Sequence, residues 1–242
     1  VQNFIDEHRL FPSGAGDKDV LIHFDWICAD IRVASLLSGD KKLQAAFEAS
    51  DPYVYMMNEI NRNTTTKIDR DECKLLLLKA INSMDFTSVA LQIYPELGDW
   101  ITRCRKATMN GNGYLETILG RRFRVAHAKN QLAVLSGTMQ GSVAHGMQRT
   151  IRSVWEIMAN RIIGDIHDSL VVSSPPESNE VRATVAAVVE KMLYPFAGLL
   201  SDNPAFPLKV SIGRKWRKWK LFAIYRSSGV EYVQIPAKTK AD

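Results

Sequence analysis

The chain has 242 residues, 46% of them hydrophobic and 24% charged, an ordinary globular composition that excludes disordered, collagen-like and coiled-coil chains and allows one large domain or two small ones. Thirty-one Lys and Arg against 26 Asp and Glu leave a net charge of +5, which suits a polyanionic partner without requiring one. No apolar run nears the roughly 18–20 residues of a membrane span and the first residues lack a signal-peptide layout, so the reading is a soluble intracellular chain with no membrane partner.

Three cysteines, Cys28, Cys73 and Cys104, are odd in number and far apart, which leaves neither a disulfide framework nor a zinc ribbon. They are expected to be buried or inert.

Lys18 to Phe24 alternates and is rich in β-branched and aromatic residues, a strand that delivers Asp25 to its end. Ile27, Ile31, Ala34, Leu36 and Leu37 then take helical spacing. Asn61 to Thr66 reads as a polar loop, and Asp69 with Glu72 three residues on opens a helix reaching about Ser83. Helices are expected from Thr87 to Ile93 and from Glu96 to Ala107.

Asn110-Gly111-Asn112-Gly113 is a turn by composition, followed by a strand from Tyr114 to Leu119 that stops at Gly120. Lys129 to Asn160 reads as one long helix interrupted by Gly137, Gly141 and Gly146. Each glycine costs about 1 kcal/mol relative to alanine, so something approaches that backbone closely, helix-on-helix packing being the simplest case. Arg161 to Ile166 and Leu170 to Ser173 flank His167-Asp168-Ser169, a hairpin with Asp168 at its tip. Pro175-Pro176 ends it, Glu180 to Leu193 is amphipathic, and Lys209 to Ile212 is a last strand. The stretch from Arg214 to Lys220 interleaves five cations with two tryptophans, either a phosphate-and-stacking surface or a solvated run. Residues 221–242 read as a short β-rich tail. No internal repeat and no linker is evident.

Two aspartates at the ends of apolar strands are what a protein needs to hold a pair of Mg2+ ions, and Asp25 and Asp168 fit that demand, although such residues are more often caps or turns. Arg70 and Lys74, at i and i+4, project from one helix face toward a common anion or toward solvent.

The segment from Asp25 to Asp40, with an acidic residue five on from Asp25, then Arg32 and a Leu37-Ser38-Gly39-Asp40 ending, resembles motif A of the family A DNA polymerases, the bacterial DNA polymerase I type. The resemblance continues in order. Val1-Gln2-Asn3 is similar to the Leu-Gln-Asn before motif A, and Asp51-Pro52-Tyr53 stands where the family has Asp-Ile-His. Gly113-Tyr114-Leu115-Glu116-Thr117 through Arg121-Arg122 is similar to its Gly-Tyr-Val-Glu-Thr element. Met139-Gln140-Gly141 resembles its Val-Gln-Gly, His167-Asp168 looks like motif C, and Val210 to Gly213 with Trp216 resembles the family's C-terminus.

The resemblance implies an α/β (α+β) fold, an antiparallel-sheet palm with a small helical fingers insertion. Its boundaries would be palm over 1–66 with motif A, reduced fingers over 67–110 with motif B, palm again over 111–220 with motif C, and a tail over 221–242. It implies a DNA-dependent DNA polymerase module that adds dNTPs to a primer 3′ end. Asp25, Asp168 and the backbone carbonyl of Trp26 would bind two Mg2+ ions, and Arg70 and Lys74 would clamp the triphosphate. Asp30 would exclude the ribose 2′-OH. Leu78 stands at the nucleotide where the family carries an aromatic. Arg32, Arg121, Arg122, Gln140 and His167 would face primer-template DNA, and a duplex over the glycine-rich helix would be a second reason for its small residues. For Arg32 an internal ion pair is an equal alternative.

The pattern breaks at Leu78, Asn82 and Ser83, where the family has its aromatic and Tyr-Gly, and at Ser169, where it usually has glutamate. His-Asp-Ser is instead similar to bacteriophage single-subunit RNA polymerases. The segment from Lys74 to Pro95 is well over a dozen residues shorter than in the bacterial enzymes, so the fingers are reduced. Because the chain starts just before motif A, a further chain or an N-terminal segment is expected to supply thumb and exonuclease. The setting implied is a viral or mobile-element polymerase in the cytoplasm of a bacterial or phage-infected cell. Two alternatives stay open: a catalytically silent nucleic-acid-binding relative, and a polymerase with relaxed sugar selection that makes RNA or primers.

Overall fold

The computed structural model describes residues 19–49, 51–65, 67–83, 88–109, 113–127, 130–214 and 220–232. Val1-Gln2-Asn3, the turn from Asn110 to Asn112, residues 215–219 of the basic stretch and the tail beyond Tyr232 lie outside the described residues. The described strands are β1 (Val20–Trp26), β2 (Tyr114–Glu116), β3 (Arg122–Arg124), β4 (Ile162–Ile166), β5 (Ser169–Ser174), β6 (Leu208–Gly213), β7 (Lys220–Arg226) and β8 (Gly229–Tyr232). The helices are α1 (Ala29–Ser38), α2 (Lys41–Ala49), α3 (Pro52–Asn63), α4 (Arg70–Ser83), α5 (Val89–Ile93), α6 (Pro95–Thr108), α7 (Gln131–Met158) and α8 (Ser178–Met192). Helices and antiparallel sheet together make the α+β class expected. The chain forms two compact units, Val1–Ile27 with Gly146–Asp242, and Cys28–His145.

The first unit is built on a six-stranded sheet in the order β4-β5-β1-β6-β7-β8, every neighbouring pair antiparallel. Strand β1 lies inside it, and its alternation decides what each face does. Val20, Ile22, Phe24 and Trp26 share one face with Leu170, Val172, Val210 and Leu208, all buried. Helix α8 packs on β5 and β6 and buries Val181, Val185, Val188, Val189 and Met192, an i, i+4, i+7 stripe. Each such side chain taken from water is worth about 1.5–3 kcal/mol. The polar groups there are paired: Trp26 Nε1 donates to the Met192 carbonyl at 2.9 Å, and the Ser174 and Thr184 hydroxyls lie 3.2 Å apart. The other face of β1 carries His23 and Asp25, beside Ser169, Val171, Lys209 and Ser211. One face therefore carries the apolar core, and the opposite one presents half-buried His23 and Asp25 among the buried Ser169 and Val171. The residues read as a β-rich tail supply β7 and β8, two strands of this sheet.

The second unit packs helices around two acidic anchors. Asp40, fully buried, accepts from the Leu43 N–H at 2.8 Å and the Leu97 N–H at 3.1 Å, so one carboxylate binds the N-termini of α2 and α6. Asp69 and Glu72 form the reciprocal capping box: Asp69 Oδ1 accepts from the Glu72 N–H and Glu72 Oε2 from the Asp69 N–H, both at 2.8 Å.

Three local expectations are corrected. Asn61 to Asn63 are helical, the end of α3. Asp51 caps that helix through the Tyr53 and Val54 N–H groups with Pro52 at its first position, a start signal that overrides the polar composition of its last turn. Strand β2 stops at Glu116, and the chain turns through Gly120 at φ 78° into β3, which pairs back on it. Finally, the glycines of α7 face the protein itself. A Cβ at Gly137 would stand 3.0 Å, and at Gly141 2.8 Å, from the Phe123 ring, and one at Gly146 3.2 Å from Phe196 and 3.3 Å from Trp26. Packing explains them without a duplex.

Candidate active site

The chemistry-bearing end of the first unit is set by a two-residue turn between β4 and β5. His167 sits at φ 56°, a left-handed conformation that histidine adopts more readily than most residues, and the Ser169 hydroxyl donates to the Ile166 carbonyl at 2.9 Å. This holds Asp168 at the tip. The Trp26 N–H donates to the Asp168 carbonyl at 3.2 Å and the Ile27 N–H to the Pro207 carbonyl at 2.8 Å, fixing the end of β1 to both neighbouring segments. Asp25 lies opposite Ser169 on one side and Lys209 on the other.

Asp25 and Asp168 thereby fall at adjacent strand ends of one sheet, in electrostatic contact. Burial raises the pKa of both carboxyls; the Asp25 charge raises that of Asp168 further, while Lys209 opposes the shift at Asp25. Burial lowers the pKa of His23, which the Asp168 charge opposes. Two half-buried carboxylates that repel one another are poorly satisfied as they stand, and a hard divalent cation is the partner their oxygens suit. Among the described residues no three His, Cys, Asp or Glu side chains cluster as a metal site.

The other expected site residues, His167 apart, lie in the second unit. Arg70, at the start of α4, gives its Nε and Nη2 hydrogens to Asp51 Oδ2 at 3.0 and 2.7 Å and an Nη1 hydrogen to Asp71 Oδ1 at 3.0 Å. Lys74 is exposed one turn on, and Leu78 is half-buried a turn further. Asp30 is half-buried in the first turn of α1. Arg121 and Arg122 are exposed on the β2–β3 ribbon, their guanidinium groups over Phe123 and Tyr114 and the second paired to Glu116 at 2.7 Å. Gln140 is exposed on α7, and His167 is exposed in the first unit.

Arg32 is the residue the geometry moves. It is 2% exposed, pairs with Glu48 at 3.0 Å and lies over the Phe47 ring at 5.0 Å. A guanidinium buried this way is an internal ion pair, the alternative to the DNA contact expected for it. Sequence reasoning missed His23, Lys209 and Asp51. The first two are placed by strand register and the third by a contact across 19 positions, and neither leaves a local spacing signal.

The fold is one that this chain shares with a polymerase POL domain. No protein-family model matches the chain. It is 25% identical over 230 residues to the thermostable DNA polymerase I of Thermus aquaticus, an alignment that covers 81% of this chain and 27% of that one. The chain thus spans about a quarter of that relative's length. Among solved structures it matches the POL domain of Pol1 from M. smegmatis, in complex with DNA primer-template and dNTP, with a TM-score of 0.66 and 18% identity, covering 86% of this chain and 41% of that chain. Sequence and fold thus agree on a resemblance to family A polymerases, which are nucleotidyltransferases.

Proposed function

We propose that the chain is the palm and fingers module of a DNA-dependent DNA polymerase of the family A type, extending a primer 3′ end with dNTPs by two-metal-ion phosphoryl transfer. The observation that carries it is the placing of Asp25 and Asp168 at adjacent strand ends, mutually repelling and half-buried, in a chain similar to a polymerase over 81% of its length. Asp25, Asp168 and the carbonyl of Trp26 would hold the two Mg2+ ions, hard cations that take oxygen ligands. The chemistry such ions would supply when bound is a lowered pKa at the primer hydroxyl and neutralisation of charge on the departing pyrophosphate.

The chain's own residues do the positioning. Arg70 and Lys74 bind the triphosphate, Asp30 stands against the ribose 2′ position and Leu78 offers an apolar contact to the base. Gln140, Arg121, Arg122 and His167 hold primer-template DNA through donors that reach phosphates and base edges. Because Asp30 is one methylene shorter than the family's glutamate, sugar selection is less strict in this reading.

The test is extension of a labelled primer-template by the purified chain with Mg2+ and four dNTPs, beside Asp168→Ala. Extension lost in the variant supports the polymerase. No extension by either protein, with undiminished primer-template binding, supports the silent relative.

A further inference from the structure

We propose that Asp51 is a positioning residue that holds the Arg70 guanidinium in the orientation that receives a nucleoside triphosphate. The inference rests on the reading of Arg70 and Lys74 as the triphosphate clamp.

Asp51 uses its two oxygens for different tasks. Oδ1 accepts the Tyr53 and Val54 N–H groups at 2.8 and 3.3 Å and caps α3. Oδ2 accepts the Nε and Nη2 hydrogens of Arg70 at 3.0 and 2.7 Å. Its side chain is 16% exposed, against 40% for Arg70 and 85% for Asp71. The Arg70 guanidinium also lies 5.3 Å from the Tyr53 ring centroid. One edge of Arg70 is therefore held from inside, by a carboxylate that is itself fixed by a helix start.

A guanidinium has five N–H donors. Three are taken by these bonds and the one to Asp71, which leaves one on each terminal nitrogen. With Asp71 displaced, the Nη1 and Nη2 hydrogens that point the same way form the fork that grips phosphate oxygens in parallel. The exposed Asp71 is a contact that a triphosphate displaces; the sheltered Asp51 is one it does not. Arg70 thus enters nucleotide binding with its long side chain already ordered, so binding does not bear the entropic cost of ordering it.

Asparagine separates the two tasks, since it caps helices as well as aspartate does but carries no charge for Arg70. Binding of a fluorescent mant-dATP with Mg2+ is measured for wild type, Asp51→Asn, Arg70→Ala and the double variant, with the melting temperature of each. The expected result is about tenfold weaker binding in Asp51→Asn, a melting temperature close to wild type, and no additional loss when Asp51→Asn is placed on Arg70→Ala. Wild-type or tighter binding in Asp51→Asn while Arg70→Ala binds weakly overturns this inference and leaves the clamp standing. Undiminished binding in Arg70→Ala overturns the clamp itself. An equal loss from Asp51→Asn with and without Arg70 assigns Asp51 a merely structural role and overturns the proposal.

Discussion

At the scale of single residues, the site is less stable than it would be without its charges. Burial raises the pKa of Asp25 and Asp168, so the folded chain holds their protons more tightly than the unfolded one. Their ionisation therefore opposes folding, and stability falls as pH rises from the ordinary carboxylate range through the raised values. Asp168→Asn is expected to abolish extension yet raise the melting temperature in metal-free buffer by about 2–4 °C, the shift that about 1 kcal/mol makes in a chain this size. Mg2+ should stabilise wild type and not the variant; calorimetry with and without the ion checks both. The thiols give the opposite kind of prediction. Burial pushes Cys104 up to about 12 and also raises Cys28 and Cys73, so Cys104 and the fully buried Cys73 should resist iodoacetamide at pH 8 until the chain is unfolded, as mapped by mass spectrometry. That the cysteines are unpaired was legible in their spacing. The burial of Arg32 was not, because the Glu48 and Phe47 that surround it come from α2, a helix that spacing did not reveal.

Individual elements were legible where the chemistry is local. The capping box of α4 needs only Asp69 and Glu72, and the β4–β5 hairpin only two β-type runs around a turn, so both stood in the sequence. Helix α3 was hidden by its polar end, and β3 by being three residues long. Asp69→Ala should cost about 1 kcal/mol, seen as a lower urea midpoint with unchanged slope. Gly141→Ala tests a competition. Alanine gains about 1 kcal/mol of helix propensity, but its Cβ would stand 2.8 and 3.0 Å from two Phe123 ring atoms and 3.2 Å from Thr117, and overpacking of this kind costs about 1–3 kcal/mol. The clash is expected to win, lowering stability in the same urea titration, and Phe123→Leu in the Gly141→Ala background should return part of the loss.

For the molecule as a whole, motif order carried the resemblance while the pairing of the strands had to come from the coordinates, since no spacing states that β1 lies between β5 and β6. Phosphate neutralisation dominates DNA affinity, and these 242 residues carry a net charge of +5. Primer-template binding by this chain alone should therefore fall steeply between 50 and 200 mM salt and extension should be distributive, which anisotropy titration and a trap-challenged extension assay would measure. The sheet order also bears on how the protein is made. Strand β1 leaves the ribosome well before both its neighbours, β5 and β6, which begin only at Ser169 and Leu208. The intervening Cys28–His145 unit is continuous in the chain and is free to form while β1 waits. At about 5–20 residues per second, the strand that ends in Asp25 and Trp26 spends about 7–30 s of translation with both edges unpaired. Newly made chains are most exposed to aggregation in that interval, and nascent products released before residue 169 carry β1 without a partner.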